Sequence, residues 1–315
     1  MSVSPPPTPT LPDKPKSKTG WIVGIAVAVV AVIVAVVLLL VNLSAPASSD
    51  AGKRATVTIG TTEKASPYWA VLTKAAAKEG IDIRVVNFGD YTQANPALNS
   101  GQIDLNLFQH LQFLADYDVS TGQNLVPIGS TLVVPLPLYS DKYTSVAEIP
   151  QGATIAIPND ATNQARALLV LQKAGLLTLK DGGNTLATPA DIVADRSRVS
   201  VIPVDAAQTA PALTSADGAI INNNFALTAG IDPKSAIFQD DPKSATAEPY
   251  INAFVARAAD KDNKTYLKIV QLYHTKAVQD AVLAESKNTA VIVERPQADL
   301  QKIVDGLAAT IKASK

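Results

Sequence analysis

The sequence predicts an α/β protein of two lobes closing on a hinged cleft, preceded by one N-terminal transmembrane helix. Three observations predict it. Short β-branched runs alternate with helical stretches along most of the chain, the pattern of βαβ units and a mainly parallel sheet. The alternation stops near Pro135 and Pro137 and then restarts, as it would for a second lobe. An uncharged apolar run, beginning at Trp21 and ending at Val41, precedes it all, and about 20 such residues cross a bilayer as a helix. With 315 residues the chain is long enough for two modest domains.

Residues 1–19 (MSVSPPPTPTLPDKPKSKT) hold almost nothing that can be buried and predict a disordered cytoplasmic tail. Residues 20–42 are the expected anchor. Lys14, Lys16 and Lys18 stand just before it and no Lys or Arg follows until Lys53. The positive-inside rule therefore leaves the N-terminus in the cytoplasm and places the rest outside. The apolar run exceeds the roughly 7–15 residues of a signal-peptide core, which favours an uncleaved anchor. The APAS string at 45–48 suits a signal peptidase, so a cleaved leader stays open as the alternative. Residues 43–54 read as a small-residue linker.

The predicted elements follow in order. A strand at 56–60 leads to a helix at 68–79, which Gly80 can close. A strand at 81–86, a short helix at 96–100, a strand at 103–108, a helix at 109–117 and a strand at 125–130 come next. The stretch 132–139 is extended, but its two prolines argue against a central strand. The second series has a strand at 153–157, a helix at 163–174 with Asn163 as a suitable cap, a strand at 199–204, a helix at 206–213, a strand at 218–221 and a helix at 222–229. A strand at 251–256 and a mainly helical remainder, including 296–311, complete the chain. This places lobe one at 55–135 and 245–315 and lobe two at 136–244, with crossings near 134–138 and 240–248. Two crossings make a hinge.

Composition narrows the function. The net charge is −1, against the basic balance expected of a nucleic-acid binder. There is no cysteine, which removes disulfides, thiolate metal sites, cysteine nucleophiles and thioether lipid anchors. Two histidines leave little for a metal site or a catalytic triad. In open α/β sheets ligands bind beyond the carboxyl ends of strands. The groups expected there are Asn87 to Tyr91, Phe108 to His110, Pro158 to Arg166, Asn222 to Asn224, and Asn252. Singly, each has a plain structural explanation. Asn163 and Asn222 would cap helices, Arg166 would be solvated, His110 structural, and Tyr91 and Phe108 part of a core. Together they converge on one cleft with no close carboxylate pair, nucleophile elbow or phosphate loop. That favours binding over catalysis, with no cofactor or metal.

Five strings, NFGDYTQANPAL (87–98), GQIDLNLFQH (101–110), PNDATNQARALLVLQKAGLL (158–177), AIINNNFA (219–226) and EPYINAFVAR (248–257), resemble the methionine-binding, NlpA-type lipoprotein family. Its members are the solute-binding subunits of methionine ABC importers, and the likeness spans nearly all of 55–315. The resemblance implies a periplasmic-binding-protein-like fold, D- or L-methionine as ligand, and permease and ATPase subunits as partners. It implies that Tyr91, Phe108 and His110 surround the thioether, that Asn163 and Arg166 hold the α-carboxylate, and that Asn222 and Asn252 supply amides. The chemistry agrees: burying an uncompensated zwitterion costs several kcal/mol, a guanidinium fork matches a carboxylate, and aromatic faces suit a polarizable sulfur. Glu63, after the first strand, is a candidate partner for the ammonium. The absence of the family's lipidated cysteine leaves membrane attachment to the 21–41 helix. An extracellular enzyme using His110 with Asp104 or Glu63, and a ligand sensor without transport, are the alternatives.

Overall fold

Two five-stranded sheets organise Arg54–Lys315, the residues described by this computed structural model. The expected tail, anchor and linker before Arg54 lie outside the described residues. Among the described residues no helix is long and apolar enough to cross a membrane.

The chain opens with β1 (Ala55–Thr61), α1 (Tyr68–Lys78) and β2 (Ile81–Asn87). β1 and β2 pair in parallel, from Ala55 opposite Ile81 to Thr61 opposite Asn87. α1 makes that crossover because Tyr68, Trp69, Leu72 and Ala76 fall on one face, where they cover Val57 and Ile59. Gly80, at φ +74°, turns the chain out of the helix. α2 (Ala94–Asn99), β3 (Leu105–Asn106), α3 (Leu111–Thr121) and β4 (Leu125–Ser130) follow.

The second series comprises β5 (Leu132–Val133), β6 (Pro137–Tyr139), β7 (Ala153–Pro158), α4 (Ala161–Lys173), β8 (Val199–Val204), α5 (Thr209–Ala212), β9 (Gly218–Ile220), α6 (Asn223–Thr228) and β10 (Phe238–Gln239). The chain then returns through β11 (Ala253–Arg257), α7 (Lys264–Tyr273), α8 (Lys276–Glu285), β12 (Val291–Ile292) and α9 (Gln297–Ala313). The first sheet has the order β2-β1-β3-β11-β4 and the second β10-β6-β9-β7-β8. Each is mainly parallel with a single reversed strand, β11 in the first and β6 in the second. β5 and β12 form a separate antiparallel pair.

The strand expected at 103–108 shortens to Leu105–Asn106 and the helix expected at 206–213 to Thr209–Ala212, and three further differences bear on the site. The extended stretch 132–139 splits into β5 and β6 around Pro135, and β6 lies inside its sheet, between β10 and β9. Pro137 is tolerated because it opens the strand, where no ladder N–H is required; its carbonyl still accepts from Ile221 N at 3.1 Å. The strand expected at 251–256 starts at Ala253, so Asn252 precedes it. β11 runs antiparallel to its neighbours, so its beginning lies at the sheet edge where the parallel strands end. The helix expected from 163 starts at Ala161, with Asp160 as its cap.

Helices cover both faces of the first sheet. Leu72, Phe254, Ile269 and Tyr273 fill one side, and Leu98, Leu111, Leu114, Leu300 and Val304 the other. α7 sits so close on β4 that a Cβ at Gly129 would overlap Val270. In the second sheet Ile155 and Ile157 pack on Leu168 and Leu171 of α4. Each fully buried aliphatic side chain contributes about 1.5–3 kcal/mol. With the faces sealed by apolar packing, polar side chains collect at the strand ends.

Candidate binding site

Where the ends of the two sheets meet, a cavity of about 80 Å³ opens. At roughly 10–15 Å³ of such volume per water, it suits a small solute rather than a polymer segment. Six of the seven predicted site residues come from the segments that follow parallel strands, either the connecting loop or the first turns of the next helix, and Asn252 immediately precedes the reversed strand. All seven line the cavity.

α4 sets the polar wall. The Asp160 carboxylate caps it by accepting from Asn163 N at 2.9 Å. Asn163 and Arg166, three residues apart, share a helix face. Arg166 is 3% exposed and is held in place from two directions. Its Nε donates to Asp240 Oδ2 at 2.8 Å and one Nη to the Val134 carbonyl at 2.8 Å. Its guanidinium carbon lies 4.0 Å from the centre of the Tyr250 ring. Among the described residues nothing accepts from the other Nη. Arg166 is therefore not a solvated helix residue, and Asn163 is not the cap.

Asn163 is 2% exposed. Its amide nitrogen donates to the Asp160 carboxylate at 3.0 and 3.2 Å, which turns its Oδ1 into the cleft. There Oδ1 accepts from Asn222 Nδ2 at 2.8 Å and lies 3.4 Å from His110 Nε2. His110 caps α3, its Nδ1 accepting from Phe113 N at 3.1 Å. An accepting Nδ1 assigns the proton to Nε2. Burial, and then the nearby Arg166 charge, push the His110 pKa down to about 3, so the imidazole is neutral. Asp104, the carboxylate considered as its catalytic partner, instead accepts from Thr58 N at 2.7 Å and from the Tyr266 hydroxyl at 3.3 Å.

Asn222 stands just before α6 but makes no side-chain cap. Its Oδ1 is buried without a hydrogen-bond partner among the described residues, which costs about 1–3 kcal/mol unless a donor arrives. Asn252 pairs with His110 in an isolated antiparallel bridge, and its amide donates to the Tyr250 carbonyl at 3.3 Å.

The apolar wall is aromatic. The Tyr91 ring lies 5.9 Å from Phe108, 5.9 Å from Phe113 and 5.0 Å from Phe225. The Tyr91 hydroxyl donates to Asn224 Oδ1 at 2.5 Å, and Asn224 Nδ2 donates to Thr62 Oγ1 at 3.1 Å. Behind this wall the buried amides of Asn95, Asn106 and Gln109 bond one another at 2.6–2.9 Å and brace the backbone that carries Phe108 and His110. Sequence reasoning counted Asn224 among the strand-end groups without giving it a role, and passed over Phe113, Phe225, Tyr250 and Asp240. Asn224 and Phe225 lay within the quoted AIINNNFA string and Tyr250 within EPYINAFVAR. Phe113 lay one helical turn beyond His110. Asp240, 74 residues from Arg166, carried no local signal.

The sequence model of the NlpA lipoprotein family matches residues 57–294. The chain belongs to that family. The probable D-methionine-binding lipoprotein MetQ of Pasteurella multocida strain Pm70 is 36% identical over 234 residues, 74% of this chain and 83% of that relative. The substrate-binding protein of a methionine transporter from Streptococcus pneumoniae superposes with a TM-score of 0.70 at 35% identity, covering 76% of this chain and 95% of its own. A nutrient-binding protein from Burkholderia cenocepacia, solved bound to methionine, gives 0.70 at 36% identity, covering 75% and 99%. The α/β fold of this NlpA-family chain is thus that of methionine-binding proteins.

Proposed function

We propose that this chain is the extracytoplasmic solute-binding subunit of an ABC importer, and that it takes methionine, D or L, in the cleft and delivers it to a permease and its ATPase. Family membership supports a binding protein rather than an enzyme. A neutral, amide-bonded His110 supports the same conclusion, since it makes a poor acid or base near neutrality.

One observation carries the ligand class: a buried guanidinium, fixed by Asp240 and Val134, keeps one nitrogen for the cleft. In this reading Arg166 receives the α-carboxylate, and Asn163, whose amide nitrogen is held by Asp160 and whose cleft-facing Oδ1 only accepts, orients the Asn222 amide beside it instead of binding the carboxylate as the resemblance implied. The orphan Asn222 Oδ1 accepts from the ammonium, Asn252 adds an amide, and Tyr91, Phe108 and His110 enclose the thioether. Sulfur–aromatic contacts are worth about 0.3–1.5 kcal/mol each. The lobes are 55–135 with 245–315, and 136–244; they hinge where Val134 and Asp240 lie. The apolar run from Trp21 to Val41 tethers the binding domain outside the membrane, in place of the lipid that a chain without cysteine cannot carry.

Calorimetry on the full chain, purified in detergent and stripped of carried-over solute, is the test. Methionine is expected to bind with micromolar or tighter affinity, and Arg166→Ala to weaken it by several kcal/mol, because a desolvated carboxylate loses its counter-charge. Absence of heat with both enantiomers would reject the substrate. An unchanged dissociation constant in the variant would remove Arg166 from the site.

A further inference from the structure

Glu63 is the charged group of the cleft that the proposed contacts leave unused. It follows β1 and lines the cavity. Its Oε1 accepts from the Tyr68 hydroxyl of α1 at 2.7 Å; among the described residues nothing donates to Oε2, and no Lys, Arg or His forms an ion pair with Glu63. The groups facing it are Tyr68 from α1, Tyr273 from α7, Glu285 from α8 and Tyr91 from the aromatic wall. All three phenols are pushed up, chiefly by burial and then by acidic neighbours that include Glu63, and stay neutral. Lys64, the next residue, is exposed. A carboxyl in a solute cleft thus has a free oxygen and no cation. Burial, against the Tyr68 hydrogen bond and with the repulsion of Glu285, raises its pKa to about 7.

We propose that Glu63 is the counter-charge for the ammonium of the bound solute, and that solute binding expels the proton from its carboxyl. This rests on the zwitterion reading above and supplies its second ionic contact, opposite in sign to Arg166. In the free protein near neutrality much of the population carries Glu63 as the acid. On binding, its O–H bond breaks, the proton passes to solvent, and the carboxylate accepts from an ammonium N–H. Pairing with a cation lowers the bound-state pKa below its free value. Affinity therefore rises with pH up to the free pKa and levels off above it. His110 is neutral throughout that window and adds no slope.

Calorimetric titrations of the full chain with methionine, from about pH 5.5 to about pH 8 in two buffers of different ionisation heat, read both affinity and proton release. The expected result is a rise approaching tenfold per pH unit below pH 7, with release of up to one proton. Glu63→Gln should weaken methionine by tenfold or more at the alkaline end and flatten the profile. Tyr68→Phe, which removes the hydrogen bond favouring the carboxylate, should move the rise to higher pH. Methylthiobutanoate, which keeps the carboxylate and thioether but lacks the ammonium, should show no rise. A flat wild-type profile, or Glu63→Gln binding like wild type, overturns the Glu63 assignment while methionine binding that depends on Arg166 keeps the proposed function. Failure of the wild type to bind methionine at any pH overturns both.

Discussion

At the scale of single residues, Arg166 combines a structural and a proposed ligand role. Its Nε pairs with Asp240 Oδ2 at 2.8 Å, and Asp240 Oδ1 accepts from Leu136 N at 2.7 Å. One carboxylate thus ties α4 to the stretch linking β5 to β6. The side chains of the pair are 4% and 19% exposed, so loss of one partner leaves a charge largely without solvent. Asp240→Ala is expected to destabilise the protein by about 3–5 kcal/mol, measured by denaturant unfolding; a loss below about 1 kcal/mol would class the pair with surface ion pairs. The motif around Arg166 was legible in the sequence. Its anchor was not, because an ion pair spanning 74 residues leaves no mark on local pattern.

At the scale of elements, the first turn of α4 decides the geometry of the polar wall. The sequence offered Asn163 as the cap, and the structure uses Asp160. Three residues matter: with Asp160 outside the helix, Asn163 moves into the first turn, becomes buried, and faces His110 and Asn222. Both Asp and Asn make good caps, so propensity alone could not choose between them. Asp160→Ala should cost about 1–2 kcal/mol of stability and also weaken methionine binding, since Asn163 loses the carboxylate that orients its amide. Thermal melts and titration of the same variant check both; a stability loss with unchanged affinity would separate the cap from the site. The prolines at and before the start of β6 teach the same lesson. Composition announced a break at Pro135 and Pro137, but the place of β6 inside the second sheet followed from pairing with β9 and β10.

At the scale of the whole molecule, the two sheets meet through the Tyr91–Phe225 ring contact and through polar contacts that include Tyr91 to Asn224, Asn224 to Thr62 and His110 to Asn163. In the last His110 donates from Nε2, while its Nδ1 accepts from Phe113 N, and that cap requires a neutral imidazole. Its folded pKa of about 3 lies below the unfolded value of about 6.5, so the native state resists a proton that the unfolded chain accepts. His110 therefore costs nothing above about pH 6.5 and removes stability progressively as pH falls toward 3, at about 1.4 kcal/mol per unit. Glu63, Asp118 and Asp160 are raised by burial and act in the opposite sense, retaining protons in the native state above their unfolded values. The His110 contribution is isolated by His110→Asn, which keeps a cap acceptor for Phe113 N. The wild-type melting temperature should fall more steeply than the variant's between about pH 6.5 and 4; parallel curves would show that the burial of His110 is not felt.

The sequence by itself determined the alternation of strands and helices, the interruption near Pro135, the family-bearing strings and seven of the residues that line the cleft. Those features are local: periodicity, glycine stops and short motifs are carried by neighbouring residues. The tertiary structure alone decided which carboxylate holds Arg166, that β11 runs backwards and so brings Asn252 to the same edge as the parallel strand ends, and that Asn222 is left with an oxygen unpaired among the described residues. It also decided that Glu63 bonds the Tyr68 hydroxyl and has Tyr91, Tyr273 and Glu285 as electrostatic neighbours. Each of these depends on groups distant in the chain meeting where water is excluded, and no one-dimensional pattern records a dielectric environment.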